Sequence, residues 1–290
     1  METENIKDIK PEKKSALRVV IHSFFVVPFI IAIFAVLIFL VTRIMTAEPN
    51  TAQDYLEDIK IGGATKRWQG AFELSKILSN PKMIPQDDRF VYEMISAFEY
   101  SINDRDLRVR QFLAIAMGAT GDTRYVETII KALNQKDTEV VMACAYALGN
   151  LKDVRAVDPL LKFLEDGDPQ VRLQAVIALG KIGDSTSIIS LKKMLADTEP
   201  NIRWDAAIAL AKQKDSSGRR IVLDLLDRKY LDSFNNIDKI EQVQAMMVAI
   251  NVSPLIKNPA LKQSLLNLKE SDSNLKIREA ARKALQNFEE

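Results

Sequence analysis

Histidine and cysteine are almost absent from this chain: its 290 residues hold one of each. A single cysteine, Cys144, excludes an internal disulfide. Placed between Ala143 and Ala145, it reads as a small buried core residue rather than a reactive thiol. The single histidine, His22, lies in an N-terminal apolar run, so the rest of the chain has no imidazole to act as a catalytic base or as a metal ligand. No zinc or iron site and no cofactor is expected. A Gly-rich phosphate loop is missing too, since Gly62-Gly63 stands alone. No catalytic residue is assigned, and enzyme activity is not expected. Nor is there an excess of either charge. Lys and Arg number 40 against 39 Asp and Glu, and the five basic and four acidic residues of positions 1–18 carry the whole net charge of +1. A neutral body has no basic stripe for a polyanion, which argues against nucleic acid as a partner.

One stretch lacks charge altogether. Val19 to Thr42 (VVIHSFFVVPFIIAIFAVLIFLVT) contains no Lys, Arg, Asp or Glu over 24 residues. A bilayer core needs about 20 such residues in a helix, so the run reads as a transmembrane helix. A cleaved signal peptide has an apolar core of roughly 7–15 residues, which this run exceeds. His22 sits near the end of the run, where it can reach the interface, and Pro28 is expected to kink the helix. Lys7, Lys10, Lys13, Lys14 and Arg18 precede the run, whereas only Arg43 and Lys60 follow it closely. That bias predicts a cytoplasmic N-terminus and an extracytoplasmic body, periplasmic in a Gram-negative cell. The domain reading is therefore a disordered tail over 1–18, a membrane helix over 19–42, a linker over 43–53 and a folded body over 54–290.

The body is repetitive. At a step of 31 residues, Ala116, Ala147, Ala178 and Ala209 fall in register, as do Asp122, Asp153, Asp184 and Asp215, and Leu133, Leu164, Leu195 and Leu226. Gly118, Gly149 and Gly180 match as well, with Ala211 in the fourth copy. A fixed period of this size marks a solenoid built from one supersecondary unit. Within a unit, Val157, Leu160, Leu161 and Leu164 mark a first helix. Asp168-Pro169 supplies an N-cap and a first helical residue, and Val171, Ala175, Ala178, Leu179 and Ile182 form the apolar face of a second helix. Glycine and aspartate after it stop one helix and start the next. Thr65–Leu78 is a divergent second helix, in which Arg67, Trp68, Ala71, Phe72 and Leu74 match Arg203, Trp204, Ala207, Ile208 and Leu210. The period breaks at Arg228–Asp238, and Asn251–Pro259 reads as a second irregular stretch. Leu275–Phe288, heavily charged on its exposed positions, reads as a capping helix. The count is about seven helix pairs, so the predicted fold is an all-α solenoid preceded by one transmembrane helix.

The element from Asp168 to Asp184, with its Pro-x-Val-Arg, spaced alanines and Ala-Leu-Gly-x-x-Gly-Asp ending, resembles the short bacterial HEAT-like repeats first associated with phycobilisome lyases. The resemblance covers roughly residues 50–290 and implies an α-solenoid. Some relatives of this repeat class attach bilin pigments, others are di-iron hydroxylases holding iron in His-Glu pairs, and most are scaffolds for other proteins. The chain departs from the hydroxylases, because its only histidine is outside the repeats. A bilin-lyase-like or other enzyme of this class is the alternative reading. In the resembling families an acid-x-x-x-Arg spacing forms a ladder between repeats. It recurs here at Asp106/Arg110, Asp168/Arg172 and Glu199/Arg203, with Val141 interrupting the Arg column, and its expected role is structural rather than anion binding.

One pair of columns points to function. Positions i and i+4 share a helix face, and here they read Trp68 and Phe72, Gln111 and Ile115, Met142 and Tyr146, Leu173 and Ile177, Trp204 and Ile208. In the repeats this chain resembles those columns are usually polar, and second helices line the concave wall. An exposed apolar and aromatic stripe there marks a docking surface; the same columns buried against neighbouring repeats would be core. The expected partner-binding residues are Trp68, Phe72, Met142, Tyr146, Leu173, Ile177, Trp204 and Ile208. The expected function is a membrane-anchored scaffold or adaptor that binds a protein or peptide.

Overall fold

The structure is a computed structural model that describes residues 22–46, 50–235 and 237–289. The expected tail over 1–18, the first residues of the apolar run and the linker residues 47–49 lie outside the described residues, as do the side chains of His22 and Arg43. A wide π-helical turn, His22–Val26, leads into helix α1, Val27–Thr46. That turn directly precedes Pro28, the place where a break was expected; a proline in the first turn of a helix withdraws no hydrogen bond from it. Phe24–Thr42 has a mean hydropathy of 3.2 and no buried residue, so it is long and apolar enough to cross a membrane. Helix α1 runs to Thr46, four residues past the expected end of the span.

Residues Thr51–Glu290 form a second compact unit. It begins three residues before the expected boundary because Thr51 caps the first helix. Its hydroxyl accepts from the Asp54 amide at 3.3 Å, and its own amide donates to the Asp54 carboxylate at 2.7 Å, a reciprocal box that satisfies two orphan donors. Helices α2 (Ala52–Ile61), α3 (Ala64–Ile77), α4 (Asp88–Tyr100), α5 (Leu107–Thr120), α6 (Val126–Ala132), α7 (Thr138–Leu151), α8 (Val157–Leu161) and α9 (Pro169–Ile182) follow. Then come α10 (Ile188–Met194), α11 (Pro200–Lys212), α12 (Arg219–Leu225), α13 (Arg228–Asp232), α14 (Lys239–Ile256), α15 (Pro259–Ser271) and α16 (Leu275–Glu289). They make seven pairs, with α13 inserted between the two members of the sixth. The second helices α3, α5, α7, α9, α11, α14 and α16 stack each on the next.

The conserved-looking columns of the repeat each have a physical task. Asp122, Asp153, Asp184 and Asp215 accept the backbone amide two residues on, at 2.8–3.0 Å, and so start a tight turn into each first helix. The residue before each aspartate stops the preceding helix in the left-handed region. Gly121 has φ of 72° and Gly183 of 74°, while Lys152 and Lys214 adopt 54° and 59° in the other two copies. The alanine column is where successive second helices touch. A Cβ on Gly118 would lie 2.5 Å from Ala147 Cα, one on Gly149 2.8 Å from Ala178 Cα, and one on Gly180 2.7 Å from Ala209 Cβ. These are contacts to backbone or to the first side-chain atom, so nothing can swing aside. The pairing of Gly in one repeat with Ala in the next sets the stacking distance.

Two expectations need correction. Asn251–Pro259 is not irregular: α14 continues through it to Ile256, with Pro254 buried inside the last turns, and ends at Lys257 with φ of 47°. The Ser253 hydroxyl donates to the Ala249 carbonyl at 2.7 Å in that bend. The acid-x-x-x-Arg pairs do not form either. Arg172 bonds the carbonyl of Asp166 at 2.9 Å and the carboxylate of Asp197, in the following turn, at 2.9 and 3.0 Å. Arg203 bonds the carbonyls of Asp197 and Thr198, and Arg110 bonds the Phe98 carbonyl at 2.9 Å, while Asp106 pairs with Arg108. Arg172 and Arg203 thus tie down the turns before their own helices, and Arg110 ties its helix to the last turn of α4. Arg172 and Arg67, the latter 3.0 Å from Asp104, also reach the turn aspartate of the next repeat. The Arg172 guanidinium holds Asp197 below the usual carboxylate range, against the opposing effect of burial.

The helix contact makes a specific prediction. In an open helix Gly→Ala gains up to about 1 kcal/mol. Gly149→Ala should instead lose about 1–3 kcal/mol by overpacking, seen as a lower thermal midpoint. Gly167→Ala, which meets nothing within 4 Å, should be near neutral. Equal effects at the two sites would show that the stack tolerates a wider spacing.

Candidate protein-binding face

The register of 31 carries the two singled-out columns onto the second helices, which stack in order. Trp68 and Phe72 stand on α3, Met142 and Tyr146 on α7, Leu173 and Ile177 on α9, Trp204 and Ile208 on α11. Between the first two pairs, α5 contributes Gln111 and Ile115. Burial divides the set. Trp68, Met142, Leu173 and Ile177 are half-buried, and Phe72 and Tyr146 are 38% and 39% exposed. Trp204 and Ile208 are only 4% and 6% exposed and belong to the C-terminal apolar core, with Ala207, Ala211, Val222 and Met246. For those two residues the core alternative holds. Helix α11 is apolar almost all round and is buried accordingly.

The cover over Trp204 comes from the segment that breaks the period. Tyr230 and Phe234 pack on the indole with ring centroids 6.4 and 5.2 Å away, and Trp204 Nε1 donates to Tyr230 Oη at 3.2 Å. The burial of this tryptophan could not be read from its own column, because the residues that cover it come from an insertion outside the period.

The exposed part of the stripe has features that no column comparison shows. Phe112 of α5 meets Phe72 edge-on at 5.1 Å. The Arg108 guanidinium lies 4.1 Å from the Trp68 ring, Lys76 lies 5.1 Å from Phe72, and the Lys181 ammonium lies 4.6 Å from the Tyr146 ring. Such cation–ring contacts are worth about 0.5–1 kcal/mol when exposed. Arg108 and Lys76 have carboxylate partners in Asp106 and Glu73, whereas Lys181 donates only to Asn150 Oδ1, at 2.8 Å. The surface is therefore a row of apolar and aromatic side chains, with the Trp68, Phe72 and Tyr146 rings each partly roofed by a cation. It offers an apolar partner area and loosely held positive charge at the edges.

No catalytic constellation emerges at this face, and among the described residues no group of three or more His, Cys, Asp or Glu is placed to hold a metal ion. Cys144 is buried in α7, and burial pushes its thiol up to about 12, so at neutral pH it is an inert core thiol. Among the described residues, Asp205, on α11 beside Trp204, is the one carboxylate shifted well upward. Burial raises it to about 6; Lys212 opposes this and Glu241 adds to it.

Two predictions follow from burial. Trp204→Ala should cost about 3–5 kcal/mol, the range for emptying a buried aromatic site. Tyr146→Ser, on a ring that is more than a third exposed, should cost about 1 kcal/mol or less. Parallel denaturant titrations decide, and equal losses would place Tyr146 in the core. At Asp205 the folded pKa lies above the ordinary value of 3.8, so the folded state holds the proton more tightly. The stability this contributes is full below pH 3.8 and is lost as pH rises through about 6. Asp205→Asn should therefore raise stability at pH 8 by up to about 3 kcal/mol, at 1.36 kcal/mol per unit. The gain should vanish toward pH 4, and a pH-independent effect would show that the shift is absent.

Comparison with known proteins agrees with this architecture. The family model for HEAT repeats matches residues 95–168 and 157–233. No curated protein matches the chain in sequence. Among solved structures, a chain of the complex of CpcE and CpcF of phycocyanin lyase from Nostoc sp. PCC7120 is similar at 20% identity. That match covers 84% of this chain and 90% of that one, with a TM-score of 0.60. YibA of Escherichia coli is similar at 20% identity over 81% of each chain, with a TM-score of 0.49. An engineered protein is similar at 20% identity over 83% of this chain and 97% of that one, with a TM-score of 0.46. At such identities the likeness is one of fold. Residues 95–233 match HEAT repeats, and the body folds as an all-α, HEAT-like solenoid of seven stacked helix pairs.

Proposed function

We propose that this protein is a membrane-anchored scaffold whose solenoid captures a protein or peptide on its second-helix face. The observation that carries the reading is the half-exposed apolar stripe over α3, α5, α7 and α9, where Trp68, Phe72, Met142, Tyr146, Leu173 and Ile177 occupy columns that solubility alone would leave polar. Trp and Tyr are favoured at binding hot spots because they bury much area at low entropic cost. Trp204 lies under Tyr230 and Phe234, and both it and Ile208 are side chains of the C-terminal core.

The apolar helix Phe24–Thr42 supports anchoring, and the excess of basic residues before it supports a cytoplasmic N-terminus with the solenoid outside the cytoplasm. Confinement to two dimensions raises the effective concentration of the solenoid near partners in the same membrane. The neutral charge of the body supports a protein rather than a nucleic-acid partner.

The test is affinity capture with the tagged full chain from native membranes, run beside a Phe72→Ser/Tyr146→Ser variant. The expected result is loss of a specific partner from the variant while its thermal midpoint stays within about 5 °C of the parent. Capture that is indifferent to both substitutions would sink the reading. A fusion of alkaline phosphatase to the C-terminus should be active, and an inactive fusion would reverse the orientation.

A further inference from the structure

In one place the second-helix face is already occupied, and by the chain itself. The segment that interrupts the period, Arg228–Asp238, opens with the single-turn helix α13 and lays two aromatic rings on α11. Tyr230 lies in α13, and Phe234 follows two residues past its end, in a turn closed by the hydrogen bond from the Phe234 amide to the Leu231 carbonyl at 3.1 Å. Their centroids are 5.1 Å apart, and each meets the Trp204 indole obliquely or edge-on, with interplanar angles of 56° and 90°. The hydrogen bond from Trp204 Nε1 to Tyr230 Oη fixes the pair in place. Trp204 and Ile208 stand in the register of Met142 and Tyr146 and of Leu173 and Ile177. The covered and uncovered parts of the stripe thus have the same columns and the same side-chain chemistry. They differ in whether something sits on them.

Charge adds a second constraint. Beside the uncovered Tyr146, Lys181 rests on the ring at 4.6 Å and donates to Asn150, with no carboxylate paired to it among the described residues. An occupant that brings a carboxylate gains a charge-assisted contact there. The covering segment carries a carboxylate between its two aromatic residues too, Asp232, which in place pairs with Lys239 of α14.

We propose that Arg228–Asp238 is an internal counterpart of the partner's recognition element. The open stretch from α3 to α9 receives a short peptide with two aromatic side chains four residues apart and a carboxylate between them. The inference rests on the reading of this face as a capture surface.

The probe is a fluorescein-labelled synthetic peptide of residues 227–238, titrated by anisotropy against the full chain in detergent micelles. Saturable binding is expected at a Kd of about 10–100 µM, as befits a short unconstrained segment. It should weaken by about tenfold when the peptide carries Tyr230→Ser and Phe234→Ser. A comparable weakening is expected when the chain carries Tyr146→Ser or Lys181→Glu, with thermal midpoints verifying that both variants are folded. Equal binding by the two peptides, no saturation by about 1 mM, or indifference to both chain variants would overturn the inference. Indifference to both is also what exchange with the resident segment at Trp204 would give. Should membrane capture depend on Tyr146 while the peptide fails to bind, only this inference falls. Should capture ignore Tyr146, the functional reading falls with it.

Discussion

Everything in this solenoid depends on how closely one second helix approaches the next. Gly118, Gly149 and Gly180 present bare backbone to Ala147, Ala178 and Ala209, and at separations where a single added carbon would overlap a main-chain atom there is no rotamer to absorb the error. The stack is therefore held at one spacing over the central repeats. That spacing determines which side chains on the second-helix face are near neighbours in successive repeats, so the geometry of the exposed stripe is a consequence of the buried glycine column. The turn aspartates and the arginines that bond the turn carbonyls act in the same direction, holding each helix start to its own repeat and, at Arg172–Asp197, to the following one.

The fourth copy is where this constraint relaxes. Ala211 stands in the glycine column, and the close approach moves to Gly218, whose missing Cβ faces Ala207 at 2.6 Å from its Cα. From there the period fails, α13 is inserted, and α14 runs longer than any other second helix. Helix α11 belongs to both regimes. Ile202, Ala206, Ala209 and Leu210 face the N-terminal core, and Trp204, Ala207, Ile208 and Ala211 face the C-terminal one. A helix shared between two cores has no face left for solvent, which is why the columns that stay half-exposed on α7 and α9 are closed on α11.

The architecture was legible in the sequence because repeats average out local ambiguity. Four aspartates in register specify four caps, four alanines specify a seam, and seven helix pairs follow from their spacing. The partners of the arginines were not legible: spacing in the sequence pairs Arg172 with Asp168, and only the fold shows that Asp197, in the following turn, is the carboxylate that meets it. The helical course through Pro254 was equally hidden, since the local signal for a break there is strong. For the candidate face, the sequence identified the columns but not their cover. Exposure depends on what lies above a residue, and over Trp204 that is supplied by Tyr230 and Phe234, which belong to no column.

The same dependence explains how an apolar stripe is carried on an exposed face without becoming a site of indiscriminate association. A bare row of Trp, Phe, Met, Tyr, Leu and Ile would be a liability for a solenoid, whose copies offer the same face. Here the rings of Trp68, Phe72 and Tyr146 are partly roofed by Arg108, Lys76 and Lys181. Each roof is weak, on the order of 1 kcal/mol or less, and long basic side chains move aside easily while keeping their charge in water. A non-specific apolar surface would have to displace these cations with nothing to offer them. On the reading proposed above, a partner bearing a carboxylate beside its aromatic groups pairs with Lys181, which has no carboxylate of its own among the described residues. The C-terminal end needs no such device, because Tyr230 and Phe234 already fill it.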